Sequence, residues 1–177
     1  MFKVSEIMTT PPDNFATELQ KKVYETFNSQ GIRFERVDTD PGITMEDCQN
    51  IDAKLGVKIV KTIFVCNRQQ TEFYIYVTTD SKPFVTRDFC RAIGIPRVSF
   101  APENKLKEIA GVDIGATTAL CAVLDSAKDV HFVIDKEVLA NPFYACTDGT
   151  ATCFVKIRTT DLMDKYFPFT GHTPTII

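Results

Sequence analysis

Residues 58–66 read KIVKTIFVC, and this run predicts a buried strand. Six of its nine residues are apolar and four of those are β-branched, which suits a strand better than a helix. Strand side chains alternate between two faces, so Lys61 shares a face with Ile59, Ile63 and Val65. An ammonium group among apolar neighbours must reach water, a partner or a ligand. Lys61 is therefore either a lysine that extends to solvent near a strand end or a cation in an anion-binding cleft.

The composition is that of one soluble globular domain: 177 residues, 44% hydrophobic and 24% charged. No window approaches ~20 uninterrupted apolar residues, so no membrane-spanning helix is predicted. Residues 1–13 lack the features of a signal peptide, and we interpret them as a loose leader before a single domain over residues 14–177. Six cysteines without a CxxC pair then predict reduced thiols and a cytoplasmic location.

The charge is unevenly distributed along the chain. The net charge is −3, yet residues 54–107 carry ten Lys or Arg against four Asp or Glu. Such a basic middle predicts either a local phosphate-binding patch or the solvated surface of helices and hairpins. The two histidines lie far apart, and Cys and His are not grouped at zinc-ligand spacing, so we predict neither a metal nor a cofactor.

Helical and strand signals alternate irregularly along the chain. Amphipathic spacing predicts a helix over 14–30, and the capping-box pattern of Thr44–Asp47 predicts a second one that runs to about Leu55. Further strands are predicted at 32–37, 72–78, 98–100, 119–124, 130–134 and 152–157, and short helices at 87–93, 103–110 and 161–167. This order predicts an α+β fold with a mixed sheet.

Standard catalytic motifs are absent: the chain has no GxSxG, HExxH, Walker loop or GxGxxG pattern. The remaining candidate is the small-residue loop GATTA at 115–119. Small residues let backbone N–H groups approach a ligand closely, and such amides can hold an oxyanion or a phosphate. An ordinary turn from a helix to a strand explains the same spacing equally well.

The order of these segments resembles the YbaK/ProX family, the freestanding relatives of the editing domain inserted in bacterial prolyl-tRNA synthetases. The motifs that carry the resemblance are Lys61–Val65, Thr78–Thr86, Pro96–Ala101, the Gly115 loop, Phe132–Asp135 and Thr150–Thr152. Two further segments, Asp40–Asp47 and Thr160–His172, are most similar to the ProX branch. The resemblance covers roughly residues 15–177 and implies a barrel-like β-sheet flanked by helices.

What this resemblance implies is a trans-editing deacylase that hydrolyses the ester of mischarged tRNA, commonly alanine or cysteine on proline tRNA, without a metal or a protein nucleophile. The implied catalytic residues are Lys61, which anchors the phosphate or ribose of the acceptor end, and Gly115, whose loop binds the aminoacyl group. The implied substrate-binding residues are Thr62, Ile43, Met45, Ala116, Thr117, Thr118 and Ala119. The implied partners are the aminoacyl-tRNA acceptor end and prolyl-tRNA synthetase.

The chain departs from the family pattern at three places. Ala119 stands where the family loop usually has proline, and Thr62 stands where the alanine-specific branch often has asparagine. Residues 143–149 lack the histidine of that branch. Two alternatives therefore stay open: a non-catalytic module that binds tRNA or a synthetase, and a hydrolase that uses the same pocket for small esters.

Overall fold

The computed structural model describes residues 1–41 and 44–177. Its helices are α1 (Glu18–Ser29), α2 (Met45–Leu55), α3 (Thr86–Ile93), α4 (Glu103–Lys105), α5 (Lys136–Leu139), α6 (Thr159–Asp161) and α7 (Phe167–Thr170). Its strands are β1 (Phe34–Asp38), β2 (Lys61–Cys66), β3 (Phe73–Thr78), β4 (Ser99–Phe100), β5 (His131–Ile134), β6 (Phe143–Thr147), β7 (Cys153–Arg158) and β8 (Thr175–Ile176). π-Helical turns follow α4 (Leu106–Ala110) and join α6 to α7 (Leu162–Tyr166), and 3-10 helices span Ala119–Val123 and Asp125–Ala127. The predicted α+β class is confirmed.

The strands form two open sheets that a bridge links before β2. One sheet has the order β1-β7-β6, and the other has the order β4-β2-β3-β5-β8. The second sheet is mixed, because β2 pairs antiparallel with β3 while β3 pairs parallel with β5. Ile59 forms a parallel bridge with Ala145 of β6, which joins the two sheets just before β2 begins. The predicted barrel-like closure of the sheet is therefore wrong, whereas the predicted mixed sheet is present.

The central strands of the five-stranded sheet are buried on both faces. Phe64 and Ile75 lie in the main core, which also contains the apolar side of α1. Ile63 and Tyr76 point to the other face and pack in a second core with Phe89 of α3. A strand that is covered on both sides has no polar face, which explains the nearly continuous apolar run of β2.

Two elements differ from the sequence prediction. The predicted strand 119–124 is a 3-10 helix, because a short run that is buried on nearly all sides has the same composition in either conformation. The sequence analysis did not predict strand β6. Its Ala145 faces one core while Tyr144 and Cys146 face another, so the segment has no alternation of apolar and polar residues.

The segment before residue 14 lies against β1. Val4 forms an antiparallel bridge with Thr39, and Met8 forms one with Arg36. The N–H of Met8 donates to the carbonyl of Arg36 at 2.9 Å, and the N–H of Arg36 donates back at 2.8 Å. Residues 4–8 are therefore hydrogen-bonded beside the three-stranded sheet, while the division into a leader and a domain at residue 14 stays a prediction.

Candidate functional site

Lys61 begins β2 and lies on the α3 side of the five-stranded sheet. Its register partner is Thr78, and the next pair along that face, Ile63 and Tyr76, belongs to the core beneath α3. The Lys61 ammonium donates a hydrogen bond to the backbone carbonyl of Lys82. Within residues 1–41 and 44–177, no carboxylate forms an ion pair with Lys61. Its charge is therefore oriented but not neutralised, which leaves it available to an anionic ligand.

Asp135, at the end of β5, fixes the segment that carries Lys82. Its carboxylate accepts hydrogen bonds from Lys82 Nζ at 2.6 Å and from Thr78 Oγ1 at 2.8 Å. Burial by itself would raise the pKa of Asp135, but the hydrogen bonds from Lys82, the Glu137 backbone N–H and Thr78 outweigh it and hold that pKa below its ordinary value. Because Lys82 presents its carbonyl to Lys61, Asp135 is a positioning residue for the Lys61 ammonium.

Thr62 points to the opposite face of β2 from Lys61. Its register partner is Val77, and the following residue on the same face is Phe64. Val77 and Phe64 belong to the main core together with Ala116 and Ala119 of the small-residue loop. The strand thus directs Thr62 toward the side of the sheet where the loop packs, while it directs Lys61 toward α3. Phe64 is itself buried in that core.

Strand β6 brings the loop and the start of β2 together. The N–H of Val60 donates to the carbonyl of Ala145 at 3.0 Å. The next residue of β6, Cys146, has its Sγ 3.6 Å from Oγ1 of Thr118. Consecutive strand residues are about 3.3 Å apart along the strand. The segment before Lys61 and the C-terminal end of the loop therefore meet on adjacent residues of one strand.

Gly115 occupies a turn that is open to solvent. Its φ of +89° lies in the left-handed region that glycine adopts without steric cost. A Cβ at this position would meet nothing within 4 Å. The N–H of Ala116 donates to the carbonyl of Asp113 at 3.1 Å, which closes the turn and buries the Ala116 methyl group. The loop is therefore anchored on its inner side and accessible at Gly115.

Two accessible backbone donors of this loop are free. Within the described ranges, the N–H groups of the exposed Gly115 and the half-buried Thr117 have no hydrogen-bond acceptor. Thr118 and Ala119 are fully buried, so a ligand does not reach their N–H groups. Neighbouring N–H donors without acceptors are the kind of group that binds an oxyanion or a carbonyl oxygen.

Thr118 fixes the conformation of the last part of the loop. Its Oγ1 accepts a hydrogen bond from the N–H of Leu120 at 3.2 Å, and its carbonyl accepts one from Cys121 at 3.2 Å. These bonds start the 3-10 helix, so Ala119 is the first residue of a helix and not of the predicted strand. The backbone direction of residues 117–119 is therefore set by contacts within the loop itself.

Of the two predicted pocket residues before and in α2, the structure describes Met45. The capping box is confirmed: Thr44 N–H donates to Asp47 Oδ2 at 2.7 Å, and Asp47 N–H donates to Thr44 Oγ1 at 3.2 Å. Met45 follows in the first turn with 86% of its surface exposed. Ile43 lies outside the described residues. The assignment of Met45 and Ile43 to a substrate pocket stays a prediction.

The sequence analysis did not identify the buried carboxylate beside β6. Asp148 is fully buried and accepts hydrogen bonds from Tyr24 Oη at 2.7 Å, Gln20 Nε2 at 2.9 Å and Thr150 Oγ1 at 2.8 Å. Burial, together with the nearby Asp148 charge, raises the pKa of Tyr24. These bonds attach α1 to the turn after β6. Because the partners on α1 are more than 120 residues away, no local motif marks them.

Three further observations concern the cysteines, the side chains that could bind a metal, and the length of the helices. All six cysteines are unpaired, and burial raises the pKa of Cys146, the one beside the loop, to about 12, so it is no thiolate nucleophile near neutral pH. Across residues 1–41 and 44–177, no three His, Cys, Asp or Glu side chains are grouped to hold a metal ion. The helices in those ranges all lack the length and apolarity that a membrane crossing requires. Metal independence and a cytoplasmic location stay predictions.

Comparison with known proteins identifies what this arrangement is similar to. A family model for the aminoacyl-tRNA editing domain matches residues 39–165. A prolyl-tRNA synthetase associated domain-containing protein 1 from Danio rerio is 25% identical over 162 residues, which cover 90% of this chain and 87% of the relative. The prolyl-tRNA editing protein ProX from Acetoanaerobium sticklandii is 24% identical over 142 residues, which cover 80% of this chain and 86% of that protein.

The fold also matches solved structures. One of them, described as a candidate trans-editing enzyme for prolyl-tRNA synthetase, superposes with a TM-score of 0.66 at 14% sequence identity. The match covers 92% of this chain and 97% of the other. At this identity the likeness establishes the shared fold.

Proposed function

Because this chain belongs to the aminoacyl-tRNA editing domain family, we propose that it is a trans-editing deacylase that hydrolyses the ester of a mischarged aminoacyl-tRNA. The observation that carries the proposal is the pair of free, accessible backbone N–H groups at Gly115 and Thr117. Their loop contacts β6 through Thr118, next to the residue of β6 that pairs with the start of β2, where Lys61 supplies a cation and Thr62 faces the loop side. Such a site has donors for a carbonyl oxygen and a charge for a phosphate.

The proposed reaction is attack by water on the ester carbonyl. The water oxygen bonds to the carbonyl carbon, the bond from that carbon to the ribose oxygen breaks, and a proton ends on the released ribose hydroxyl. Negative charge develops on the carbonyl oxygen, and fixed N–H donors stabilise it without reorganising. Removal of one such donor in other enzymes costs about 10²–10³ in kcat. The loop would thus contribute most of its effect in the transition state.

Lys61 is proposed to hold the phosphate or ribose of the tRNA acceptor end. Its ammonium is already oriented by the Lys82 carbonyl, so little side-chain entropy is lost when an anion binds. Correct placement of the ester relative to the loop then raises the effective concentration of the reacting groups. In this proposal Lys61 binds the tRNA end on one face of β2. The ester reacts at the loop on the other face, toward which Thr62 points.

The proposed substrate is alanine or cysteine attached to proline tRNA, and the proposed partner is prolyl-tRNA synthetase. The names of the two relatives, which refer to prolyl-tRNA editing and to the prolyl-tRNA synthetase associated domain, support this choice. A pocket that discriminates by size gains only about 1–3 kcal/mol per methylene group. We expect such a pocket to admit small side chains and to reject large ones.

The test is deacylation of alanyl- and cysteinyl-tRNA for proline by the wild type, Lys61→Ala and Lys58→Ala. Lys58 is the matched control, because it lies three residues earlier, is 71% exposed and pairs with Asp80. We expect Lys61→Ala to lower kcat/KM by about 10- to 100-fold, the equivalent of one charge-assisted contact. Lys58→Ala should retain the wild-type rate, and dialysis against a chelator should leave all rates unchanged.

Each result separates the alternatives. Failure of the wild type to deacylate either substrate, while it still binds tRNA, would favour the non-catalytic module. Equal rates on a simple aminoacyl ester and on the aminoacyl-tRNA would favour the small-ester hydrolase. A chelator-sensitive rate that a divalent cation restores would show that metal independence is wrong.

A further inference from the structure

Helix α3 separates two clefts of different charge. On one side lies a cleft of about 630 Å³, here named the arginine cleft, whose lining includes Arg87, Arg91, Arg97 and Phe100. No carboxylate is among its lining residues in the described part of the chain. The cleft on the other side, about 510 Å³, mixes Lys82 and Lys136 with Asp88 and Asp135. The basic charge of this region is therefore concentrated on one side of α3.

The local chain geometry explains how the arginines converge. Arg87 and Arg91 are four residues apart on α3 and so lie on the same helix face. Arg97 comes just before β4, whose Ser99 pairs with Cys66 at the end of β2. Arg68, two residues after Cys66, lines an adjoining depression together with Arg97.

These charges are nearly free of internal partners. In the part of the chain that the structure describes, Arg68, Arg91 and Arg97 form no ion pair, and Arg87 has only Asp88 at 3.8 Å. The side chains of that pair are 80% and 63% exposed, so the bridge contributes little. Four exposed arginines without firm partners form a strong local positive potential in a chain whose net charge is −3.

An exposed aromatic ring borders the same cleft. Phe100 has 68% of its surface exposed, and its ring lies 5.9 Å from that of Phe84, which holds it at the rim. Arginine recognises phosphate through paired N–H donors, and an exposed aromatic ring offers a stacking surface for a base. The combination fits a nucleic acid better than an acidic protein, which has no bases to stack.

The arginine cleft lies on the same side of the sheet as Lys61. Lys61 and α3 share one face of the five-stranded sheet, as do Val98 and Val65. Lys61 and Cys66 are the two ends of β2, which corresponds to about 17 Å at the usual strand rise. A duplex whose single-stranded end reaches Lys61 would therefore pass over the arginines.

From this geometry we propose that the arginine cleft binds the phosphate backbone of the tRNA acceptor arm, with Phe100 stacked on a base. The proposal rests on the proposed editing function and assigns the surface that holds the duplex while the 3′ end occupies the site. It gives the basic middle of the sequence a binding role and not merely a solvated surface.

The test is tRNA binding by Arg91→Glu/Arg97→Glu compared with the control Arg33→Glu/Arg158→Glu. Both control arginines are exposed, lie at one end of the β1–β7 pair and line neither cleft beside α3. We expect the dissociation constant of the cleft variant for tRNA, measured by fluorescence anisotropy, to rise at least about 10-fold. The slope of log K against log salt should fall by about 1–2, because two phosphate contacts are lost. The control should bind as the wild type does.

Deacylation of a short substrate separates this proposal from the editing function itself. On an aminoacylated trinucleotide with the tRNA 3′ sequence, the cleft variant should keep the wild-type rate while it is slower on whole tRNA. If the wild type deacylates neither substrate, the editing function fails, and the binding measurement alone still decides the proposal.

Two results would overturn the role of the cleft. One is unchanged tRNA affinity and salt slope in the cleft variant. The other is an equal loss in the control, which would assign the effect to net charge. The urea midpoint of each variant shows whether it is folded, and the milder Arg87→Gln/Arg91→Gln replaces the cleft variant if the reversal does not fold.

Discussion

The ammonium group of Lys82 lies 2.6 Å from Oδ2 of Asp135, while the backbone carbonyl of the same lysine accepts a hydrogen bond from Lys61. A buried carboxylate at the end of β5 is thus connected, through one intervening residue, to the cation at the start of β2. The arrangement separates the group that would touch the substrate from the group that holds it in place.

Substitution of Asp135 should weaken substrate binding through Lys61. We expect Asp135→Asn to raise KM for aminoacyl-tRNA with little change in kcat, because the neutral amide holds Lys82 and its carbonyl less firmly. The exposed Glu137, which also pairs with Lys82 at 3.2 Å, supplies the control Glu137→Gln. The double variant Asp135→Asn/Lys61→Ala should be no worse than Lys61→Ala alone, since both act on one contact. Additive losses would show that Asp135 acts elsewhere.

The acid stability of the protein should also depend on Asp135. Its pKa is lower in the folded protein than the value of about 3.9 in an unfolded chain, so the unfolded state binds the proton more readily at low pH. The contribution is therefore complete above that unfolded value and is lost as the pH falls through the folded pKa. We expect urea titrations to show Asp135→Asn less stable than the wild type at neutral pH, with a difference that shrinks toward pH ~3. A constant difference would contradict this origin.

Gly115→Ala separates the loop geometry from general backbone strain. Gly115 and Gly171 have φ values of +89° and +79°, and a Cβ at either would meet nothing within 4 Å. Each alanine should therefore destabilise the fold by a similar amount, about 1–2 kcal/mol. Only Gly115→Ala should slow deacylation strongly, by about 10²-fold, because it shifts the N–H donors relative to the ester. Equal rates for the two variants would remove the loop from the mechanism.

Gly149→Ala should destabilise the protein more than its backbone conformation alone explains. Gly149 has a φ of +101°, and a Cβ there would lie 2.7 Å from Cδ2 and 3.1 Å from Cγ of the buried Leu19. Gly31, with a φ of +65° and free space around it, provides the control for the backbone cost. We expect Gly149→Ala to lose about 1–3 kcal/mol more than Gly31→Ala in urea unfolding. Equal losses would mean that Leu19 repacks without cost.

Local signals predicted the elements whose residues interact with near neighbours. The capping box of Thr44 and Asp47 and the strands at 58–66 and 72–78 were all predicted because their hydrogen bonds or alternation extend over only a few residues. The 3-10 helix after Thr118 was predicted as a strand, since a short buried run has no polar face to define its period. Closure of the sheet depends on contacts between distant strands and has no local signal.

The candidate site likewise combines residues that the sequence identifies with contacts that only the fold creates. Lys61 and the Gly115 loop were singled out by composition and by family resemblance, and Thr62 by the resemblance alone. Lys61 and Thr62 lie on opposite faces at the start of β2, and Thr118 of the loop contacts Cys146 of β6. Asp135 was quoted only as part of a matching strand, and its connection to Lys82 spans 53 positions. Contacts of that length are set by the fold, so sequence spacing does not reveal them.

Strand β6 has a consequence for the order in which the protein acquires its activity. Its Ala145 pairs with the segment at Val60, and its Cys146 contacts Thr118, so three stretches that are far apart in sequence must meet there. Contacts of this separation form late, because the loops between them must close first. During synthesis, the hairpin of β2 and β3 can form long before β6 has been made. A nascent chain would therefore present Lys61 and the arginines of α3 to RNA before it could cleave any ester.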